Sequence, residues 1–302
     1  MPDHAAKRPL LRQGWLRVLL FIIASSVIAA LLSIPVAVLA LKKGFVADPS
    51  QIMAQLLSGE WLWLVVVLEC VVTLISVWIF RRFIDRKSFV TLGLDISGHG
   101  TEAIAGFFMG PALLGISALC LLFSGHLKWT DIVFDAQSLT ISLGLLMLIA
   151  FSEELVFRGY ILNNLLASFS NKWIALVLSA LLFATFHVTN PGMNSLAYAN
   201  LFLAGLLLGI NYIYTRNLGF SFLFHLSWNF FQGPLLGFNV SGLHLSSLLQ
   251  PEISGDALIT GSDFGLEGSM LNTAVSLSAF LLLALAFERK YHSKSHQGSA
   301  MA

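Results

Sequence analysis

A backbone amide inside a bilayer has no water to bond, so a chain that crosses one does so as helices or as a closed barrel. This 302-residue sequence carries apolar runs close to the ~20 residues that a spanning helix requires. They are Val18–Leu41, Trp61–Phe80, Ala103–Phe123, Leu139–Phe157, Trp173–Val188, Leu196–Tyr214, Phe220–Leu236 and Met270–Phe287. The first holds no charged residue; the fifth and seventh are short, as in helices that are tilted or buried in a bundle. The period-2 alternation of an outer-membrane barrel is missing, so the spans are predicted to be helical. The expectation is an all-α membrane protein, a polytopic bundle of about eight transmembrane helices. It forms a single membrane domain over 1–302, with 292–302 as a disordered tail.

Composition supports this solvent. Only 11% of the residues are charged and 57% are hydrophobic, against about 25% charged in a soluble domain. A soluble enzyme, a nucleic-acid binder and a disordered chain are excluded, and a net charge of +1 offers nothing to a polyanion. Cys70 and Cys120 lie in apolar runs and read as small buried hydrophobes, without a disulfide framework. Lys7, Arg8, Arg12 and Arg17 precede the first run, as basic residues precede a signal peptide. A signal core is only about 7–15 residues long, so the run is read as an uncleaved span.

Charge placement orients the bundle. With eight spans and a cytoplasmic start, the inner segments hold 13 of the 17 Lys and Arg residues. The outer loops hold Lys42, Lys43 and Lys128, and the long 238–269 loop carries Glu252, Asp256, Asp263 and Glu267 with no Lys or Arg. This obeys the positive-inside rule and predicts a multi-pass protein of a bacterial inner membrane with both termini cytoplasmic. The 238–269 loop, rich in Gly, is expected to be a connector or a flexible lid. The Arg81–Lys87 cluster is expected to sit beside anionic lipid.

A charge inside a spanning helix costs at least ~2.5–3.5 kcal/mol, so the few present mark a partner or a function. Glu69, Glu153, Glu154 and Arg158 fall within or at the edge of the runs, and of eight histidines only His187 and His225 do. Glu69 alone reads as paired or protonated within the bundle. In Ser152-Glu153-Glu154-Leu155-Val156-Phe157-Arg158, Glu154 and Arg158 share a face at i,i+4, while Glu153 is turned about 100° away. Phe183 and His187 close the fifth run, and His225 and Asn229 share a face of the seventh. If the fourth and fifth helices form a hairpin turning near Asn171, Glu153 and His187 lie roughly 27 and 24 Å from the turn, nearly level.

Glu-Glu-x-x-x-Arg, Phe-x-x-x-His and His-x-x-x-Asn on three helices resemble the CPBP family, the CAAX protease and bacteriocin-processing (Abi) intramembrane endopeptidases. The resemblance covers about residues 139–240. The matched positions are Glu153, Glu154, Arg158, Phe183, His187, His225 and Asn229. It implies an intramembrane endopeptidase acting on a membrane-embedded or lipid-anchored protein or peptide. A bacterial source would favour peptide maturation or a bacteriocin-immunity role over prenyl-protein processing.

The residues themselves supply what peptide hydrolysis needs. Glu153 with His187 is expected to activate water, Glu154 to neutralise Arg158, and His225 with Asn229 to stabilise the oxyanion as neutral donors. The same Glu153, His187 and His225 would also form a His2Glu zinc site, the metalloprotease alternative. The metal-free mechanism is preferred, because no His-Glu-x-x-His helix is present. Two other functions compete: a non-catalytic immunity or scaffold protein, and a proton-coupled transporter using Glu69, Glu153 and His187. The polar residues cluster rather than line a pathway, which disfavours the transporter.

Overall fold

The computed structural model describes residues 8–44, 55–56 and 59–299. Each apolar run lies on one helix. In chain order these are α1 (Gly14–Lys42), α2 (Gly59–Ile79), α3 (Gly100–Phe123), α4 (Ala136–Glu154), α5 (Lys172–Phe186), α6 (Ser195–Ile210), α7 (Gly219–Phe230) and α8 (Met270–Ser299). Among the described residues six helical segments are long and apolar enough to cross a membrane, by length and composition. The two short runs are not: α5 has 15 residues and α7 has 12. At 1.5 Å per residue these reach roughly 22 and 18 Å, so the count of eight full spans is not met. Lys7 and residues 300–302 lie outside the described residues, and the backbone of α8 runs through most of the expected tail.

Side-chain caps start the helices around the site. The Asp135 carboxylate accepts from the amides of Gln137 and Ser138, and its own titration is held below the usual range by the Ser138 hydroxyl. Asn171 caps α5 and Asn194 caps α6 in the same way. Beyond Glu154 the α4 helix continues as a π-helical segment, Leu155–Leu162, and ends at Leu166. The helix thus runs past its apolar part, and the chain turns before Asn171 caps α5, where the hairpin was expected.

Two glycine pairs bring backbones together. Gly106 and Gly110 of α3 meet α7: a Cβ on Gly110 would stand 2.7 Å from the Trp228 amide nitrogen. Gly205 and Gly209 of α6 meet α5, where a Cβ on Gly205 would stand 2.8 Å from the Ala180 Cα. Both are GxxxG spacings, which let membrane helices pack at backbone distance. One sets the depth of the helix bearing His225, the other that of the helix ending at His187.

The end of the bundle that carries Arg17 and Arg81 is tied by ions. Asp85, fully buried, accepts from Arg17 at 3.1 Å and from Arg81 at 2.9 Å. Arg81 is thus inside the bundle and does not face lipid, whereas Arg82 and Lys87 are exposed. Phe21 stacks on Tyr160 beside this cluster, and Phe80 meets both rings edge-on.

Two loops depart from a purely helical reading. Residues Leu127–Ile132 (β1) and Leu249–Ile253 (β2) pair antiparallel, Leu127 opposite Ile253 and Ile132 opposite Leu249, with a bulge between Trp129 and Asp131. Lys128 faces Glu252 across the pair, an opposite-charge match that favours this register. The 238–269 loop is therefore built, and Phe238, Val240, Phe264 and Leu266 are buried in it. Cys70 is buried as expected, but Cys120 is exposed on the outer face of α3.

Candidate active site

Helices α4, α5 and α7 bring the three motifs to one point. Glu153 Oε2 lies 3.5 Å from His187 Nε2 and 3.9 Å from His225 Nε2. Glu154, one residue on and turned away, pairs with Arg158 at 2.7 Å, both side chains 1% exposed. The same Glu154 oxygen accepts from His225 Nδ1 at 2.9 Å, a contact the sequence did not disclose. Arg158 is further fixed by the Gly205 carbonyl at 3.1 Å and lies 4.6 Å above the Phe183 ring. Neutralisation is thus local: Glu154 answers Arg158, and Glu153 is left to face the histidines.

The partners decide the histidine protonation. His187 Nδ1 stands 2.7 Å from the Phe183 carbonyl, an acceptor only, so Nδ1 carries the proton. His225 Nδ1 faces an ion-paired carboxylate and carries one as well. Both rings therefore turn Nε2 toward Glu153. At 3.5 Å the Glu153–His187 separation exceeds a direct N–H···O bond of about 2.7–3.2 Å. Glu153 Oε2 is buried with no protein hydrogen-bond partner. With Nδ1–H given to Glu154, His225 could donate to an oxyanion only through Nε2, and a ring that does both carries two protons.

Asn229 lies one turn beyond His225 and lines a cavity of about 240 Å³ together with Glu153, His187 and His225. Glu69 of α2 lines it too. Glu69 makes no ion pair among the described residues, which leaves the protonated state as the one of its two expected states that burial favours. From the 238–269 loop Ser241 reaches the cavity, and Glu267 locks that loop down. The Glu267 carboxylate accepts from Trp228 Nε1 at 2.9 Å and from the Ser241 amide at 2.7 Å. Its carbonyl takes Asn200 Nδ2 at 2.7 Å. Sequence reasoning placed Glu267 among outer-loop charges; only its flanking glycines and apolar Leu266 hinted that it turns inward.

Among the described residues, no group of three or more His, Cys, Asp or Glu side chains is arranged to hold a metal ion. Glu153, His187 and His225 come nearest. They fit zinc in kind, but neighbouring ligands of a tetrahedral zinc stand roughly 3.3 Å apart, and their Nε2–Oε2 separations of 3.5 and 3.9 Å are wider.

A polytopic all-α bundle with a buried carboxylate–histidine cluster at its centre is the class that fold and site define. Within it, residues 135–231 match the family model described as type II CAAX prenyl endopeptidase Rce1-like. The matched segment runs from the α4 cap to the end of α7 and contains all six polar residues of the cluster from Glu153 to Asn229. Ser241 and Glu267 lie beyond it. No curated protein and no solved structure matches the chain.

Proposed function

We propose that the chain is an intramembrane endopeptidase whose base is Glu153. The observation that carries this reading is the buried, unpartnered Glu153 Oε2 facing His187 Nε2 at 3.5 Å. That gap suits one water donating a hydrogen to each and turning its lone pair outward. As the water oxygen bonds to the peptide carbonyl carbon, its proton passes to Glu153. The oxyanion accepts from Asn229 and from the doubly protonated His225. Glu153 then returns the proton to the leaving nitrogen as the C–N bond breaks, giving a carboxylic acid and an amine.

The substrate is a membrane-embedded or lipid-anchored peptide. The family's description makes a peptide ending in a prenylated cysteine motif the first one to offer; bacteriocin processing is the alternative for a bacterial source. The chemistry needs no metal in this reading. Zinc held by Glu153, His187 and His225 would polarise the carbonyl and acidify water.

The test uses purified protein in nanodiscs with a quenched fluorescent peptide carrying a farnesylated cysteine, and its unprenylated twin. Cleavage of the lipidated peptide by the wild type is expected, with a loss of about 10²–10⁴-fold in Glu153→Gln and an unchanged melting temperature. Full activity in Glu153→Gln removes the base assignment. No cleavage of any membrane peptide leaves the scaffold reading in its place.

A further inference from the structure

The catalytic carboxylate is reached from two sides. The cavity that holds His225 and Asn229 opens toward the 238–269 loop. A second cavity, of about 180 Å³, lies behind Glu153 between α1, α2 and α4. Glu69, Glu153, Phe157 and Phe186 belong to both. A scissile carbonyl held by His225 and Asn229 lies in the first cavity and covers it. The water that replaces the one spent between Glu153 and His187 then has to come from elsewhere.

The second cavity is mostly apolar, yet polar atoms point into it. Ser152 is 3% exposed, and its Oγ has no protein hydrogen-bond partner. Ser25 Oγ, across the cavity on α1, is equally buried and unpartnered. Thr73 and the unpaired Glu69 lie one turn apart on α2. A buried hydroxyl without a partner costs about 1–3 kcal/mol, and an apolar occupant would leave Ser25 and Ser152 unsatisfied. Water satisfies donors and acceptors alike. At roughly 30 Å³ each, several waters fit, with the two to four polar partners that buried water takes. An anion would meet two carboxylates.

We propose that this second cavity is the water chamber of the site, holding water on Ser25, Ser152, Thr73 and Glu69 and passing it to Glu153 while a substrate fills the first cavity. The inference rests on Glu153 and His187 as the water-activating pair. Each turnover consumes one water: its oxygen ends on the acyl carbon, one hydrogen on the amine nitrogen. Without a reservoir, the water spent at Glu153 and His187 would be replaced only after the first cavity had emptied.

Two measurements test this. In full-length protein with Cys70 and Cys120 replaced, single cysteines are placed by Ser25→Cys, Thr73→Cys and, as a lipid-facing control, Val71→Cys. Val71 is 41% exposed on the outer side of α2. A charged methanethiosulfonate reacts with the thiolate, which needs water, so the first two are expected to react about 10-fold or more faster than the control. Rates equal to the control show a dry cavity and overturn the proposal whether or not the protein cleaves anything. Second, Val72→Phe fills the chamber. It is expected to lower kcat about 10-fold with KM unchanged. A raised KM with kcat intact would make the cavity a substrate subsite and overturn the proposal. Should the wild type cleave nothing while the cysteines react fast, the chamber stands and the protease reading fails.

Discussion

The adjacent glutamates should fail in opposite ways when each is replaced by its isosteric amide. Glu154→Gln leaves Arg158 positively charged at 1% exposure without its carboxylate. Breaking a buried pair by removing one partner typically costs about 3–5 kcal/mol. Here the Gly205 carbonyl and the Phe183 ring still hold the guanidinium, and the substituted amide still offers an oxygen to one donor. The loss should therefore sit at the low end, about 3 kcal/mol, or roughly a hundredfold in the folding equilibrium. Adding Arg158→Met removes the stranded charge and should recover stability. Only the Gly205 bond and the ring contact are then missing, about 1–2 kcal/mol in all. The assay is reversible unfolding in bicelles, with Glu153→Gln as the control that keeps its stability and loses turnover. The reasoning is refuted if Glu154→Gln unfolds like wild type, or if the double variant is less stable than the single one.

Three further outcomes follow from the packing and the site. Gly110→Ala forces a methyl against the Trp228 amide nitrogen and should cost about 1–3 kcal/mol of overpacking; displacement of His225 and Asn229 should also lower kcat, readable by melting and turnover on one preparation. Glu267→Ala strips Trp228 Nε1 and the Ser241 amide of their acceptor. It should cost about 1–3 kcal/mol, with limited proteolysis between 238 and 269 accelerated. Dialysis against a chelator should leave peptide cleavage intact; stoichiometric zinc that departs together with activity would replace the metal-free mechanism.

The cluster was legible because charge is scarce. Glu153, Glu154, Arg158, His187 and His225 stood out against apolar helices, and rise per residue alone levelled Glu153 with His187. The glycine pairs were present as spacings, but a glycine among leucines changes hydropathy little, so Gly106, Gly110, Gly205 and Gly209 gave no contrast. Glu267 was hidden for the opposite reason: an acid in a polar loop looks like any solvated acid. The strand pair was illegible because its halves lie more than a hundred residues apart and each is shorter than a periodicity window. The 2.9 Å bond from His225 to Glu154 required knowing which face of α7 meets α4, and that is set by Gly110 rather than by either partner.

The π-helical stretch Leu155–Leu162 divides α4 into two phases. The half before it presents Glu153 and Glu154; the half that follows presents Tyr160 to Asp85 and Asn163 to Tyr212. A wide turn of this kind is equivalent to one inserted residue. Deleting any single residue there would let the helix rewind, rotating one half by about 100° against the other. Catalytic and anchoring residues could then not both find their partners. Length within this stretch is therefore a tighter constraint than identity: a lineage can exchange Val156 or Ile161 for another apolar residue more freely than it can lose one.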